Sequence, residues 1–166
     1  MMIEPRDLPA IVVTEQQTKE TSPDPDGDTD KETTNKALVR KLFEDLWNNA
    51  DHDAEVKYLA ANYTDYAVGP LQCVEGQCRM TGPITMKALV GRLRSAFPNV
   101  TFHILQMIAE KNRVAVHFIG AGTHKGKFGN VDPSGKEVDI VGSAIHRVVG
   151  GKITDSYHFL HVIGLG

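Results

Sequence analysis

Histidine is the side chain best suited to carrying a proton near neutral pH, and this chain holds seven. Five of them, His117, His124, His146, His158 and His161, fall in a C-terminal region rich in β-branched and aromatic residues. Successive side chains of a strand point to opposite faces, so position decides what each imidazole can do. In the last apolar run, Thr154, Ser156, His158 and Leu160 share one face, and Asp155, Tyr157, Phe159 and His161 share the other. His158 stands mid-strand between apolar neighbours, where a neutral ring with a pKa of about 6.5 can act as a general base. His158 and His161 reach one cavity only through a bulge or at a strand end, so they are poor metal ligands even with Asp65 or His146 added. No metal site is expected.

Asp65 and Tyr66 are the second candidate pair. A carboxylate beside an imidazole fixes its tautomer and raises its basicity, and a phenol can donate to a developing oxyanion. Read alone, Asp65 could equally cap the turn toward Gly69-Pro70. Trp47, Tyr63, Phe97 and Phe118 can line an apolar pocket, with His146 and His161 as further pocket polar groups, or can simply fill a core. His124 is expected to serve structure at a rim. The chain contains no G-x-G-x-x-G, no Walker glycine loop, no G-x-S-x-G and no H-E-x-x-H. No cofactor is expected.

The elements that must hold these groups can be read from periodicity. Val39, Leu42, Phe43, Leu46 and Trp47 recur at helical spacing, with Thr33 or Thr34 as cap and Asn48-Asn49 as the end. Asp53 offers a cap for a short second helix carrying Val56, Leu59 and Ala60. Tyr63–Val68 reads as a brief extended piece. Gly82-Pro83 opens a third helix with an apolar stripe of Ile84, Ala88, Leu89, Leu93, Ala96 and Phe97, stopped by Pro98. Strands are predicted over Val100–Ala109, Val114–Thr123, Val138–Val149 and Ile153–Ile163, with Gly150-Gly151 as a tight hairpin. Helices followed by antiparallel strands predict an α+β fold in which helices cover one face of a curved sheet.

The first 34 residues read differently from the rest. They carry a net charge of −6, leaving +3 for residues 35–166, and Thr21–Glu32 has no apolar residue. A disordered acidic tail over 1–34 and one domain over 35–166 are expected, with Leu8–Val13 as an optional edge segment. The positive surplus is scattered, so nucleic acid is not an expected partner, and no apolar run approaches the ~20 residues of a membrane span. Without a signal peptide the expected address is cytoplasmic, which would keep Cys73 and Cys78 as thiols.

The runs NKALVRKLFEDLWNNAD, NYTDY, TGPITMKALVGRLRSAFPNVTFHI and RVAVHFIGAGTHKGKF, with the ending GGKITDSYHFL, resemble the SnoaL-like polyketide cyclases of the nuclear transport factor 2-like superfamily. The resemblance spans roughly residues 35–165. It implies a cone of curved antiparallel sheet closed by three N-terminal helices, a cystatin-like α+β roll, around an apolar pocket. It also implies cofactor-free ring closure, in which a last-strand aspartate moves a proton. That aspartate falls at His158, and a further carboxylate of the family falls at His161.

Together these readings predict a cyclase- or isomerase-type enzyme using His158 as base on a small, apolar, carbonyl-containing molecule. A non-catalytic small-molecule binder of the same fold is the alternative. An epoxide hydrolase-like protein is the third, and would need a buried Asp–Arg–Asp set, whereas Arg92, Arg94 and Arg147 look solvent-facing. Family members often pair, and an outer sheet face carrying Ile119 and Tyr157 predicts a homodimer.

Overall fold

The computed structural model describes residues 29–51, 53–68, 79–81 and 84–165. The expectations for residues 1–28, for Gly69-Pro70, for Cys73 and Cys78, and for the Gly82-Pro83 helix start lie outside them.

Helix α1 spans Asp30–Leu42 and runs on as a π-helical turn over Phe43–Asn48. It starts ahead of the expected Thr33 or Thr34. Thr29 is the cap: its side chain accepts from the Glu32 N–H, and the Glu32 carboxylate accepts from the Thr29 N–H at 2.9 Å, a closed capping box. Glu32 also accepts from the backbone N–H of Lys111 at 2.6 Å, tying the helix start to a distant turn. The expected stripe is the buried one, Val39, Leu42, Phe43, Leu46 and Trp47. Within the π-helical turn, Phe43 and Trp47 stack with centroids 5.5 Å apart, which places both rings over the sheet.

Helix α2 covers Ala54–Tyr58, with Asp53 at the expected N-cap position but making no side-chain cap bond, and passes directly into strand β1, Leu59–Val68, which takes Leu59 and Ala60 out of the expected helix. That junction turns the helix so that Ala54 and Glu55 are buried and Val56 is 73% exposed, against the expected apolar Val56 face. After β2, Arg79–Thr81, helix α3 runs Ile84–Ala96. Its buried stripe is Met86, Val90, Leu93, Ala96 and, just beyond, Phe97, whereas Ala88 faces solvent. Leu93, Ala96 and Phe97 are expected members of the stripe and Leu89 packs partly buried against the core; Met86 and Val90 join them, and Ala88 is the departure.

Strands β3 (Thr101–Glu110), β4 (Arg113–Thr123), β5 (Glu137–Val149) and β6 (Lys152–Ile163) match the expected segments within a residue or so. Gly150 and Gly151, at φ +60° and +75°, make the two-residue turn between β5 and β6 that only residues tolerant of positive φ allow. The sheet order is β2-β1-β6-β5-β4-β3. All neighbours are antiparallel except β1 and β6, which run parallel, so the sheet is mixed rather than purely antiparallel. Helices and aromatic side chains cover its inner face. Phe118 and Phe102 lie where Gly142 and Gly120 have no side chain, and a Cβ on Gly142 would stand 2.5 Å from the Phe118 ring.

One irregularity decides which residues face inward. Val149 and Val148 pair with Lys152 and Ile153, but Arg147 pairs with Asp155, leaving Thr154 as an extra residue on β6. This bulge flips the alternation. Ile153 is buried before it, and Ser156, His158, Leu160 and Val162 are buried after it. Without the extra residue, the parity of Ile153 would carry Asp155, Tyr157 and Phe159 inside and turn His158 out.

Candidate active site

His158 is 1% exposed, and its Nδ1 lies 2.8 Å from Oδ1 of the buried Asp65. The parallel pairing of β1 with β6 brings the two strands together, Asp65 standing opposite Ser156. An aspartate carboxylate only accepts hydrogen bonds, so Nδ1 carries the ring proton and donates it to Asp65. With the ring neutral, the far nitrogen, Nε2, carries the lone pair; it is buried and without a hydrogen-bond partner among the described residues. This is the arrangement of an oriented imidazole base.

A second imidazole stands beside it. His146 on β5 is fully buried, its ring 5.5 Å from that of His158, and its Nδ1 lies 2.7 Å from Oγ of Ser156. Burial, reinforced by the neighbouring His158, holds its pKa well below the ordinary histidine value, so the ring stays neutral. Its Nε2 also lacks a partner. Trp47 reaches the same place from the π-helical turn, 5.9 Å from His158, with an unpartnered Nε1–H. Tyr63, two residues before Asp65 on the same strand face, is fully buried. Burial first, and the Asp65 carboxylate second, push its phenol pKa well above 10. Phe43 and Phe118 pack edge-on behind these groups.

The structure therefore gathers Asp65, His158, His146, Trp47, Tyr63 and Phe118 at one place on the inner face. Three expected members are elsewhere. His161 is exposed on the outer face, because three residues of regular strand separate it from the inward His158. Tyr66 stacks on Tyr157 at 4.6 Å on the outer face, since it alternates with the inward Asp65. Phe97 packs on His124 and Phe128 at the end of α3, 5.4 and 5.2 Å between centroids. His124 is buried there, with Ser134 N–H donating to its Nδ1 at 3.3 Å.

Ser156 was visible in the sequence on the face of His158, but nothing in the spacing marks it as the partner of His146; the cross-strand register does. Arg94, expected toward solvent, is half-buried and donates to the carbonyls of Trp47, at 2.7 Å, and Asn48. It secures the end of the π-helical turn that carries Trp47. Arg147 pairs with Asp155 at 2.6 Å, and Arg92 is exposed. None of Arg92, Arg94 and Arg147 joins Asp65 in the arrangement an epoxide hydrolase-like site would need.

The sequence profile of the SnoaL-like polyketide cyclases matches residues 37–166. The chain belongs to that family. Solved structures agree in fold. A provisionally assigned SnoaL-like cyclase from Jannaschia sp. CCS1 superposes with a TM-score of 0.71 at 20% identity, covering 81% of this chain and 90% of its own. AclR of Streptomyces galilaeus, a provisionally assigned hydroxylase, gives 0.65 at 24% identity, covering 78% and 80%. A ketosteroid isomerase-like protein from Catenulispora acidiphila, solved with trimethylamine, gives 0.57 at 18% identity, covering 74% and 83%. No curated protein matches the chain. The SnoaL-like chain thus has the expected α+β architecture of the nuclear transport factor 2-like superfamily, and none of its described helices is long and apolar enough to cross a membrane.

Proposed function

We propose that this SnoaL-like protein is a cofactor-free acid–base enzyme acting on a small, largely apolar, carbonyl-containing molecule. The observation that carries the reading is the Asp65–His158 pair, with Nε2 buried and unpartnered. Asp65 orients the ring and stabilises the imidazolium that forms, while the apolar surround strengthens that attraction by excluding water. The acidic C–H of the ligand gives its proton to Nε2, and its electron pair moves into the carbonyl to give an enolate. That carbanion equivalent then closes a ring on a second carbonyl, whose alkoxide takes the proton back from Nε2, or, in a conjugated enolate, is reprotonated at another carbon by the same nitrogen. An imidazole replaces the carboxylate the family uses here and is the better matched base near neutral pH. Binding without catalysis is the second reading, supported by the same buried, aromatic-lined surface.

The test is α-proton exchange of 2-tetralone and acetylacetone in heavy water, followed by NMR. Acceleration by the wild-type chain, abolished in a folded His158→Ala variant, is the expected result. Probes that bind without accelerated exchange would establish the binding reading instead.

We also propose a homodimer through the outer sheet face. Ile119 is buried within the single chain and does not call for a partner, but Ile108, Ile145, Tyr157 and Phe159 are each about half exposed on that face. Light scattering on the wild type and on a Tyr157→Glu, Phe159→Glu double variant tests it: a dimer reduced to monomer is expected, and a monomeric wild type refutes it.

A further inference from the structure

We infer that Ser156 locks His146 as the Nε2–H tautomer, making it the donor that receives the carbonyl oxygen of the ligand while His158 takes the adjacent proton. The inference rests on the proposed proton-transfer reading and narrows the ligand to an enolisable ketone whose oxygen and acidic C–H are presented together.

The serine has one proton to give. Its Oγ lies 2.7 Å from Nδ1 of His146. The buried Tyr63 phenol, without a well-aligned partner of its own, faces the same serine and keeps its proton. With Tyr63 pointing its O–H toward Oγ, the serine proton is left for Nδ1 of His146. That nitrogen then accepts, and the ring proton must sit on Nε2. The second argument is electrostatic. Nε2 of His158 is a lone pair, because Asp65 holds the other nitrogen as a donor. A second lone pair on the adjacent ring would repel the first and offer an oxyanion no donor, whereas Nε2–H on His146, equally unpartnered in the free protein, offers one. A donor beside an acceptor suits one enol unit, the lone pair toward carbon and the N–H toward oxygen.

In the step itself, the C–H bond breaks and its proton passes to Nε2 of His158. The C–H electrons form the C=C bond, and the carbonyl π pair moves onto oxygen. The oxyanion accepts a hydrogen bond from His146 Nε2–H, which keeps its proton throughout. A neutral imidazole can do this without first losing charge, and the depressed pKa of His146 keeps it neutral. Asp65, Tyr63 and His158 are the other titratable groups placed around it.

The deciding experiment is nitrogen-15 NMR of the full chain labelled at histidine. One His146 tautomer, protonated at Nε2 and unchanged over about pH 5 to 8, is expected, with Ser156→Ala giving a mixture of tautomers. Protonation at Nδ1, or titration within that range, overturns the inference. Exchange of 2-tetralone protons supplies the functional arm. His146→Leu is expected to slow it about a hundredfold with His158 intact, and Trp47→Phe much less; the reverse order would assign the donor to Trp47 and refute the role of His146. A wild-type chain that catalyses no exchange refutes the proposed function, and the tautomer is then decided by the NMR arm alone.

Discussion

Glu55 gives the most quantitative prediction. Its carboxyl is buried on α2 with Oε1 unpartnered, and loss of hydration raises its pKa from 4.5 to about 7, against the opposing pull of the Lys87 N–H and ammonium. A folded-state pKa above the unfolded one means that the group supports the fold when protonated. That support is complete below about pH 4.5 and is lost as pH rises through about 7. The full displacement corresponds to roughly 3 kcal/mol, and partial solvent screening brings the expectation to about 1–3 kcal/mol. Glu55→Gln keeps the shape without the charge. Urea unfolding of both proteins should therefore show a stability difference that grows in favour of the variant from about pH 4.5 to 8, by the stated amount and with unchanged m-values. A difference that does not vary with pH, or that grows toward acid, would show that the carboxyl is ionised in the fold at little cost.

Other substitutions probe the site and its supports. Asp65→Asn removes the charge that holds the His158 imidazolium, and ketone proton exchange should fall about a hundredfold or more; an unchanged rate would remove Asp65 from the mechanism. Arg94→Ala frees two carbonyls at the end of the π-helical turn and should cost about 1–3 kcal/mol in urea unfolding, with Trp47 fluorescence reporting a looser environment. Gly142→Ala forces a methyl into the Phe118 ring and Leu160 and should cost about 1–3 kcal/mol; a neutral result would mean that the rings move aside freely.

Local patterns made much of the fold legible. The four long strands, the Gly150-Gly151 turn and the inward stripe of α1 follow from alternation, turn chemistry and helical spacing, all of which act over a few residues. The misreadings come where distant parts decide. Helix α1 starts early because Glu32 finds both Thr29 and the far-off Lys111 backbone. Val56 turned on which side of the five-residue α2 packs inward, and on α3 only Ala88 left the expected stripe, while Met86 and Val90 entered it. The parallel union of β1 with β6 leaves no local mark, yet it sets Asp65 beside His158. Alternation correctly put Ser156 and His158 on one face and His161 on the other. What alternation could not supply was the Thr154 bulge that makes that face the inner one while Ile153 is also inside. Tyr66 follows the same logic, since an inward Asp65 commits its neighbour to the outer face.

Asp65 and His158 are 93 residues apart in the chain. Strand β6 supplies both His158 and the serine that holds His146, and it is also the strand that pairs with β1. A nascent protein ending at β5 would carry Asp65 and His146 with neither companion in place. A chain stopped upstream of β6 would therefore lack the Asp65–His158 pair altogether, however much helix and sheet it had already acquired.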